Sequence, residues 1–287
     1  MSPKSNISSM PPRVAILLAT YNGARYLREQ LDSLFSQTYL DWQLYVGDDG
    51  STDDTLAIVH EYMQKHQNMH LRVSQRPLRA MQNFMSLLAD NSADYYFFCD
   101  QDDVWQPRKV EMSLRHIQEA EARWPGKPIL VHTDLEVVDA QLSVLSPSLW
   151  HENYVRPNLL SQFNYLGVQP FVTGCTMVIN NTLKSLSLPC PDEALMHDAW
   201  LAMQCTAHGG HIVSLTEATV RYRQHGNNTI GAVASRQHGW AQRLRGIRHL
   251  WNENRRLYAF ASMFGYGSPL KYAFFKFVYH FRARHGQ

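Results

Sequence analysis

Cysteine is scarce in this chain: Cys99, Cys175, Cys190 and Cys205 are the only four in 287 residues, and no two stand in C-x-x-C spacing. That excludes a zinc knuckle and a disulfide framework, and leaves reduced, mostly buried thiols as the expectation. Long apolar runs are missing too. No stretch reaches the ~18 consecutive apolar residues that span a bilayer, and the opening "MSPKSNISSMPP" lacks the apolar core of a secretory signal. Internal repeats and low-complexity tracts are absent. These absences point to a cytoplasmic protein. Its 45% hydrophobic content is enough for one large domain, or for one domain with an appendage.

Acidic residues are rare only at the end of the chain. From Arg236 onward there are ten Lys or Arg against one acid, Glu253, a net charge of +9. Residues 1–235 carry 17 basic against 24 acidic groups, a net charge of −7. The net +2 of the whole chain hides two electrostatic halves.

The first hundred residues alternate strand and helix patterns. "RVAILLATYN" (13–22) reads as a buried strand, and Tyr26, Leu27, Gln30, Leu31 and Leu34 then recur with helical spacing. "WQLYVGDDGS" (42–51) predicts a second strand, followed by a helix over 53–65. Further strands are expected at 71–76 and 94–99, with a helix at 81–90 between them. Strand–helix–strand order implies parallel pairing with right-handed crossovers, an open doubly wound α/β sheet. Beyond it, 128–139 and 171–180 read as strands, 220–228 as a strand running into a polar loop, and 146–158 as an irregular, substrate-facing loop.

In such sheets ligands bind beyond the carboxyl ends of the strands, which is where the chemistry-bearing residues fall. Asp100, Asp102 and Asp103 close the fourth strand. Two carboxylates spaced by one residue share a divalent cation well, and hard oxygen donors suit Mg²⁺ or Mn²⁺. A solvated acidic turn with Asp103 capping the next helix is the alternative. "GDDGS" (47–51) repeats the arrangement: Asp48 is placed to accept from a base N–H, or the motif is a helix start capped by Ser51 or Asp53.

In this order and spacing, "ATYNG" (19–23), "VGDDGSTDDT" (46–55) and "FFCDQDDVW" (97–105) resemble the nucleotide-binding half of family 2 glycosyltransferases with the GT-A fold. The resemblance continues through "HTDLEVVD", "TGCTMVI", "MHDAWLA" and "YRQHGNN", and is nearest to rhamnosyltransferase-like members. It implies an open, mostly parallel doubly wound sheet with a basic helical C-terminal extension. The divisions are a disordered segment 1–12, a GT-A domain over 13–235 (nucleotide-binding half 13–105, acceptor-binding half 106–235), and a basic region over 236–287.

The implied reaction is an inverting, metal-dependent sugar transfer from a nucleotide diphosphate sugar, dTDP-L-rhamnose or a UDP-hexose, to a hydroxyl of a glycan or lipid-linked acceptor. The setting would be bacterial surface polysaccharide synthesis. The residues implied for the nucleotide sugar are Thr20, Tyr21, Asn22, Asp48, Asp49, Asn83, Asp100, Gln101 and Arg223. Asp102, His225 and Asp100 are implied for Mg²⁺ or Mn²⁺, and Asp198 as the base that deprotonates the acceptor, although Asp198 also stands where a helix N-cap would. The chain departs from the family pattern at Leu78, Arg79 and Ala80, where a glycine is common before Asn-Phe, and at Ala199, where an aromatic residue is common. His132 and Asp134 match a family feature without an assignable role.

The basic region interleaves cations with aromatics, as in "WAQRLRGIRHLW" and "LKYAFFKFVYHFRAR". Amphipathic helices on an anionic membrane fit this pattern, each basic residue contributing ~1 kcal/mol near the headgroups. A helix packed on the core, or contact with nucleic acid, are the alternatives, and peripheral attachment at the inner face of the cytoplasmic membrane is the expectation. Two other functions compete with glycosyl transfer: a sugar-phosphate nucleotidyltransferase, whose Gly-rich Arg- and Pro-bearing start is missing from "ATYNGARYL", and a sugar-nucleotide-binding subunit without turnover.

Overall fold

The computed structural model describes residues 12–225 and 252–285. The expected N-terminal segment, except Pro12, and the basic stretch 226–251 lie outside the described residues. The first half follows the expected order: β1 (Val14–Thr20), α1 (Ala24–Phe35), β2 (Trp42–Asp48), α2 (Thr55–Lys65), β3 (Met69–Val73), α3 (Arg79–Asp90) and β4 (Tyr95–Asp100). β1 lies between β2 and β4, parallel to both, and Ala19 is in register with Gly47 on one side and Asp100 on the other. The three motif-bearing loops therefore leave the sheet at one level.

β1 is apolar at nearly every position because both of its faces are covered. Ala15 and Leu17 point into one core with Phe84, Leu87 and Leu88 of α3. Val14, Ile16 and Leu18 point into the other, with Leu27 and Leu31 of α1 and Ile58 and Val59 of α2. Each fully buried Val, Leu, Ile or Phe among them contributes about 1.5–3 kcal/mol.

Past β4 come β5 (Val104–Trp105), α4 (Lys109–Arg123), β6 (Ile129–Val138), β7 (Val144–Ser146), α5 (Leu149–Glu152), α6 (Pro157–Leu160) and α7 (Phe163–Leu166). A single 3₁₀ turn (Gly174–Thr176) leads to β8 (Val178–Asn180), α8 (Asn181–Ser187), α9 (His197–Ala207) and β9 (His211–Arg223). Among the described residues the sheet has nine strands in the order β3-β2-β1-β4-β8-β6-β9-β5, with β7 beside β6. β8 runs antiparallel to β4 and β6, β9 parallel to β6 and β5 antiparallel to β9. The parallel half is as expected from the sequence, and the second half is mixed.

Local departures have physical reasons. Strand is limited to 178–180 in the segment 171–180, because Gly174–Thr176 turns instead and its first N–H serves a carboxylate. Residues 146–158 hold the end of β7 and the short helix α5, not a wholly irregular loop. α2 begins with Asp54 as its N-cap residue, while Asp53 accepts from the backbone N–H groups of Ala24 (3.1 Å) and Thr55 (3.0 Å). Asp103 caps no helix, since α4 begins six residues later.

At the C-terminus α10 (residues 252–262) and α11 (Pro269–His285) join the α3–α9 core through Phe260, Ala261, Tyr266, Tyr272, Tyr279 and Ala283. One face of the basic region is thus packed on the body of the protein. No helix of the described residues is long and apolar enough to cross a membrane.

Candidate active site

The loops after β1, β2 and β4 surround a cleft of about 650 Å³, closed on the far side by Thr173, Gly174, His197, Asp198, Tyr222 and His225. The first two loops are laced together through side chains. Asn22 sits at φ 46°, a left-handed conformation that Asn tolerates. Its N–H donates to Ser51 Oγ (2.9 Å), and its Oδ1 accepts from the Thr52 N–H (2.8 Å).

Asp48 is fully buried and lies under this lacing. Its carboxylate accepts from Thr20 Oγ1 (2.8 Å), the N–H groups of Gly50 (3.0 Å) and Ser51 (2.8 Å), and Ser51 Oγ (2.6 Å). Gly50 at φ 84° lets the chain turn back over it. The structure does not bring Asp48 to the cleft wall; both of its oxygens are committed to the turn. Asp49 does reach the wall, with its carboxylate accepting from the N–H groups of Leu78 (2.6 Å) and Arg79 (2.8 Å). Arg79, one of the positions that departs from the family pattern, starts α3 at φ 63° with its side chain exposed. Asn83 also lines the cleft, yet its amide is tied to Gly47 O (2.6 Å) and to Arg72 (2.8 Å).

Gln101 joins the third loop to the first. Its Oε1 accepts from the Tyr21 N–H (2.8 Å) and its Nε2 donates to Tyr21 O (3.0 Å), as a neighbouring strand would. On either side of it, Asp100 and Asp102 line the cleft. Burial, and then the charges of Asp102 and Asp198, push the Asp100 carboxyl up to about 7. His225 Nε2 stands 2.8 Å from Asp102 Oδ2, and its ring stacks on Tyr26 at 5.0 Å.

Arg223 is a correction to the expectation that it binds the nucleotide sugar. Its guanidinium is almost wholly buried, donating to Asp102 O (2.8 Å), Ala140 O (2.7 Å) and Glu29 Oε2 (2.5 Å), and it does not line the cleft. The neighbouring Arg221 pairs with Glu136 at 3.2 Å.

Asp198 lies in the first turn of α9, after an N-cap at Met196, and so is not itself the cap. Its Oδ2 accepts from the Gly174 N–H (3.1 Å) and its Oδ1 from the Ala199 N–H (2.6 Å). Burial pushes its carboxyl up to about 6 against the opposing pull of these hydrogen bonds. Gly174 is required by close approach: a Cβ there would come 2.4 Å from His197 Nε2. The His197 ring packs on Phe84 and Phe98, and burial lowers its pKa to about 3, so it is neutral. His197, Tyr26 and Tyr222 line the cleft without having been singled out; Tyr26 reads in sequence as an ordinary core position of α1.

His132 and Asp134 turn out to hold structure together. His132 is buried, its pKa lowered to about 3 by burial, with Nε2 2.7 Å from Ser214 Oγ. Asp134 accepts from the Trp150 N–H (3.2 Å) and from Ser148 Oγ, fastening the segment after β7.

Two donor sets for a cation can be compared. Asp102 and His225 bring a carboxylate oxygen and an imidazole nitrogen to 2.8 Å of each other at the cleft surface, with Asp100 lining the same cleft but not drawn into one tight cluster with them, and their oxygen donors are of the kind that suits Mg²⁺ or Mn²⁺. Deeper, ligand atoms of Asp100, Asp103 and Cys175 lie within 4.8 Å of one another. Burial raises the Cys175 thiol well above its ordinary pKa and keeps it protonated, which makes this second set a poor site for a hard cation.

Residues 15–181 match the family described as Glycosyl transferase family 2, more than half of the chain. The chain belongs to that family. As a family 2 glycosyltransferase it is 27% identical, over 82% of its own length and 80% of the relative's, to the dTDP-rhamnosyl transferase RfbG of Shigella flexneri. Among solved structures it resembles S. aureus TarS 1–349 in complex with UDP-GlcNAc (TM-score 0.59, 16% identity, 92% of this chain and 69% of that one). A mannosyltransferase of Pyrobaculum calidifontis, PcManGT, in complex with GDP-Man and Mn²⁺ is similar as well (TM-score 0.57, 18% identity, 97% and 77%). Some other curated relatives are matched over only about half of their own length. The GT-A fold of this glycosyltransferase is thereby established; the likeness to the solved structures speaks to fold alone.

Proposed function

We propose that this glycosyltransferase is an inverting, metal-dependent enzyme that moves L-rhamnose from dTDP-rhamnose, or a hexose from a UDP-sugar, to a hydroxyl of a glycan or lipid-linked saccharide in bacterial surface polysaccharide synthesis. One observation carries the reading: a half-buried carboxylate, Asp198, shares a cleft with the Asp100–Asp102–His225 group. The dTDP-rhamnosyl relative favours rhamnose as the donor sugar.

In this reading the walls formed by Thr20, Tyr21, Asn22 and Asp49 receive the nucleoside, with Asp48 holding their turn in shape. Asp102, His225 and Asp100 would hold Mg²⁺ or Mn²⁺, which would supply positive charge to offset that of a departing diphosphate. Asp198 takes the proton of the acceptor hydroxyl. The acceptor oxygen bonds to the anomeric carbon from the face opposite the diphosphate, whose C–O bond breaks with the electron pair leaving on the diphosphate. A carboxyl with a pKa near 6 is ionised at neutral pH yet basic enough to assist. Lipid-linked acceptors would bring the enzyme to the inner face of the cytoplasmic membrane.

The test is release of nucleotide diphosphate from a panel of nucleotide sugars with Mn²⁺, with Mg²⁺ and with chelator, using membrane extract as acceptor. Metal-dependent release from one donor, lost in Asp102→Ala and Asp198→Ala while Asp198→Ala still binds that donor, is the expected result. Donor binding without release under any condition would instead make the chain a binding subunit.

A further inference from the structure

α11 has two apolar faces, and among the described residues one of them packs on the body of the protein while the other is largely exposed. Tyr272, Phe275, Tyr279 and Ala283, spaced by three, four and four residues, face the body of the protein. There the Phe275 ring meets Tyr165 edge-on at 5.2 Å, and Lys276 Nζ reaches Val168 O at 3.4 Å. Leu270, Phe274 and Phe277 point the other way, with the same helical periodicity, and are 82%, 60% and 71% exposed; Phe281 continues their line. A row of large apolar side chains on one exposed helix face marks an interaction surface.

Charge indicates the partner. Residues 252–285 carry six Lys or Arg against Glu253 alone, and Arg255, Arg256 and Arg282 are exposed. A second copy seated on this face by a two-fold contact would bring two strongly basic surfaces together, which repel. An anionic lipid surface attracts them, and the net −7 of residues 1–235 turns the body of the protein away from it.

We propose that α11 lies on an anionic membrane, with Leu270, Phe274 and Phe277 inserted among the acyl chains and the neighbouring cations at the headgroups. α11 packs on α7, and α7 packs on α9, the helix whose first turn holds Asp198. A surface bound by α11 is therefore two helix contacts from the candidate base. This inference deepens the lipid-linked acceptor reading and rests on it for its purpose, but not for its test.

The test uses the full chain, without donor or acceptor, sedimented with vesicles of phosphatidylethanolamine and phosphatidylglycerol, or of phosphatidylcholine alone. Wild type is expected to bind the anionic vesicles in preference to the neutral ones. Phe274→Ser combined with Phe277→Ser should weaken that binding by about tenfold or more, while Phe277→Trp retains it. Absence of vesicle binding by wild type, or equal binding by the double serine variant, would overturn the proposal. So would light scattering that shows a wild-type dimer converted to monomer by the serine pair, since the face would then be a subunit contact. Nucleotide release assayed on the same preparations reports separately on glycosyl transfer, so the two readings can fail independently.

Discussion

The turns after β2 and β4 look alike in sequence, "GDDGS" and "CDQDDVW", but their acids are held in opposite ways. Asp48 accepts four hydrogen bonds from its own turn and from Thr20, so its charge is satisfied by the chain. Asp100, by contrast, is pushed up to about 7 by burial and by the nearby carboxylates, and Asp102 has His225 against it. An acid cluster that folding satisfies is a scaffold, whereas one that folding leaves crowded is suited to a cation from outside. Sequence similarity between the two turns conceals this, because the difference lies in what surrounds the oxygens.

The comparison can be tested most severely at Asp198, which belongs with the crowded acids. Asp198→Asn should lower turnover by about 10²–10⁴-fold, the usual worth of a general base, with donor affinity kept; steady-state release and donor titration would show it. Next, Asp102→Asn should raise the Mn²⁺ concentration needed for half-maximal activity by at least the roughly 10–100-fold that loss of an outer-shell partner costs, read from a metal titration. Asp48→Asn should behave differently, leaving the metal requirement unchanged while lowering stability by about 1.5–3 kcal/mol in urea unfolding, since hydrogen bonds to a charged acceptor are lost. A shift in metal requirement there would dissolve the distinction between the two turns.

A smaller effect concerns pH. As the proposed base Asp198 would act only as a carboxylate, so turnover at saturating donor and metal should rise as pH passes through about 6. Its folded pKa is above the ordinary carboxylate value, which means that the folded state binds the proton more tightly. The stabilisation due to the protonated form is therefore present at low pH and lost as pH rises through about 6. Thermal melting of wild type against Asp198→Asn at pH 5 and pH 7.5 should show wild type losing ground at the higher pH.

The parallel half and its three loops were legible in the sequence because strand, turn residues and acids are contiguous there. What was not legible depends on residues far apart in the chain. Alternating Arg221 and Arg223 give no sign of which one is buried; the partner of Arg223, Glu29, is 194 residues away. The apolar composition of 171–177 suggests strand, but the need of Asp198 for the Gly174 N–H makes it a turn. His132 and Asp134 had no readable role because Ser214, Ser148 and Trp150 reach them only on folding. In α11 the aromatics occupy both faces, and only packing distinguishes Phe275 from Phe277.

Arg223 carries a consequence beyond its own contacts. It fastens α1, the carbonyl of Asp102 and the turn after β6 to one guanidinium, and its backbone N–H reaches Asp103 at 3.1 Å. His225 follows only two residues later, so two of the candidate cation ligands, Asp102 and His225, 123 residues apart in the chain, are held face to face by the fold itself. The entropy of bringing them together is lost during folding and not during binding. Loosening this latch with Arg223→Lys would act at a distance, leaving every cleft residue in the chain but removing the head start that the proposed cation would have.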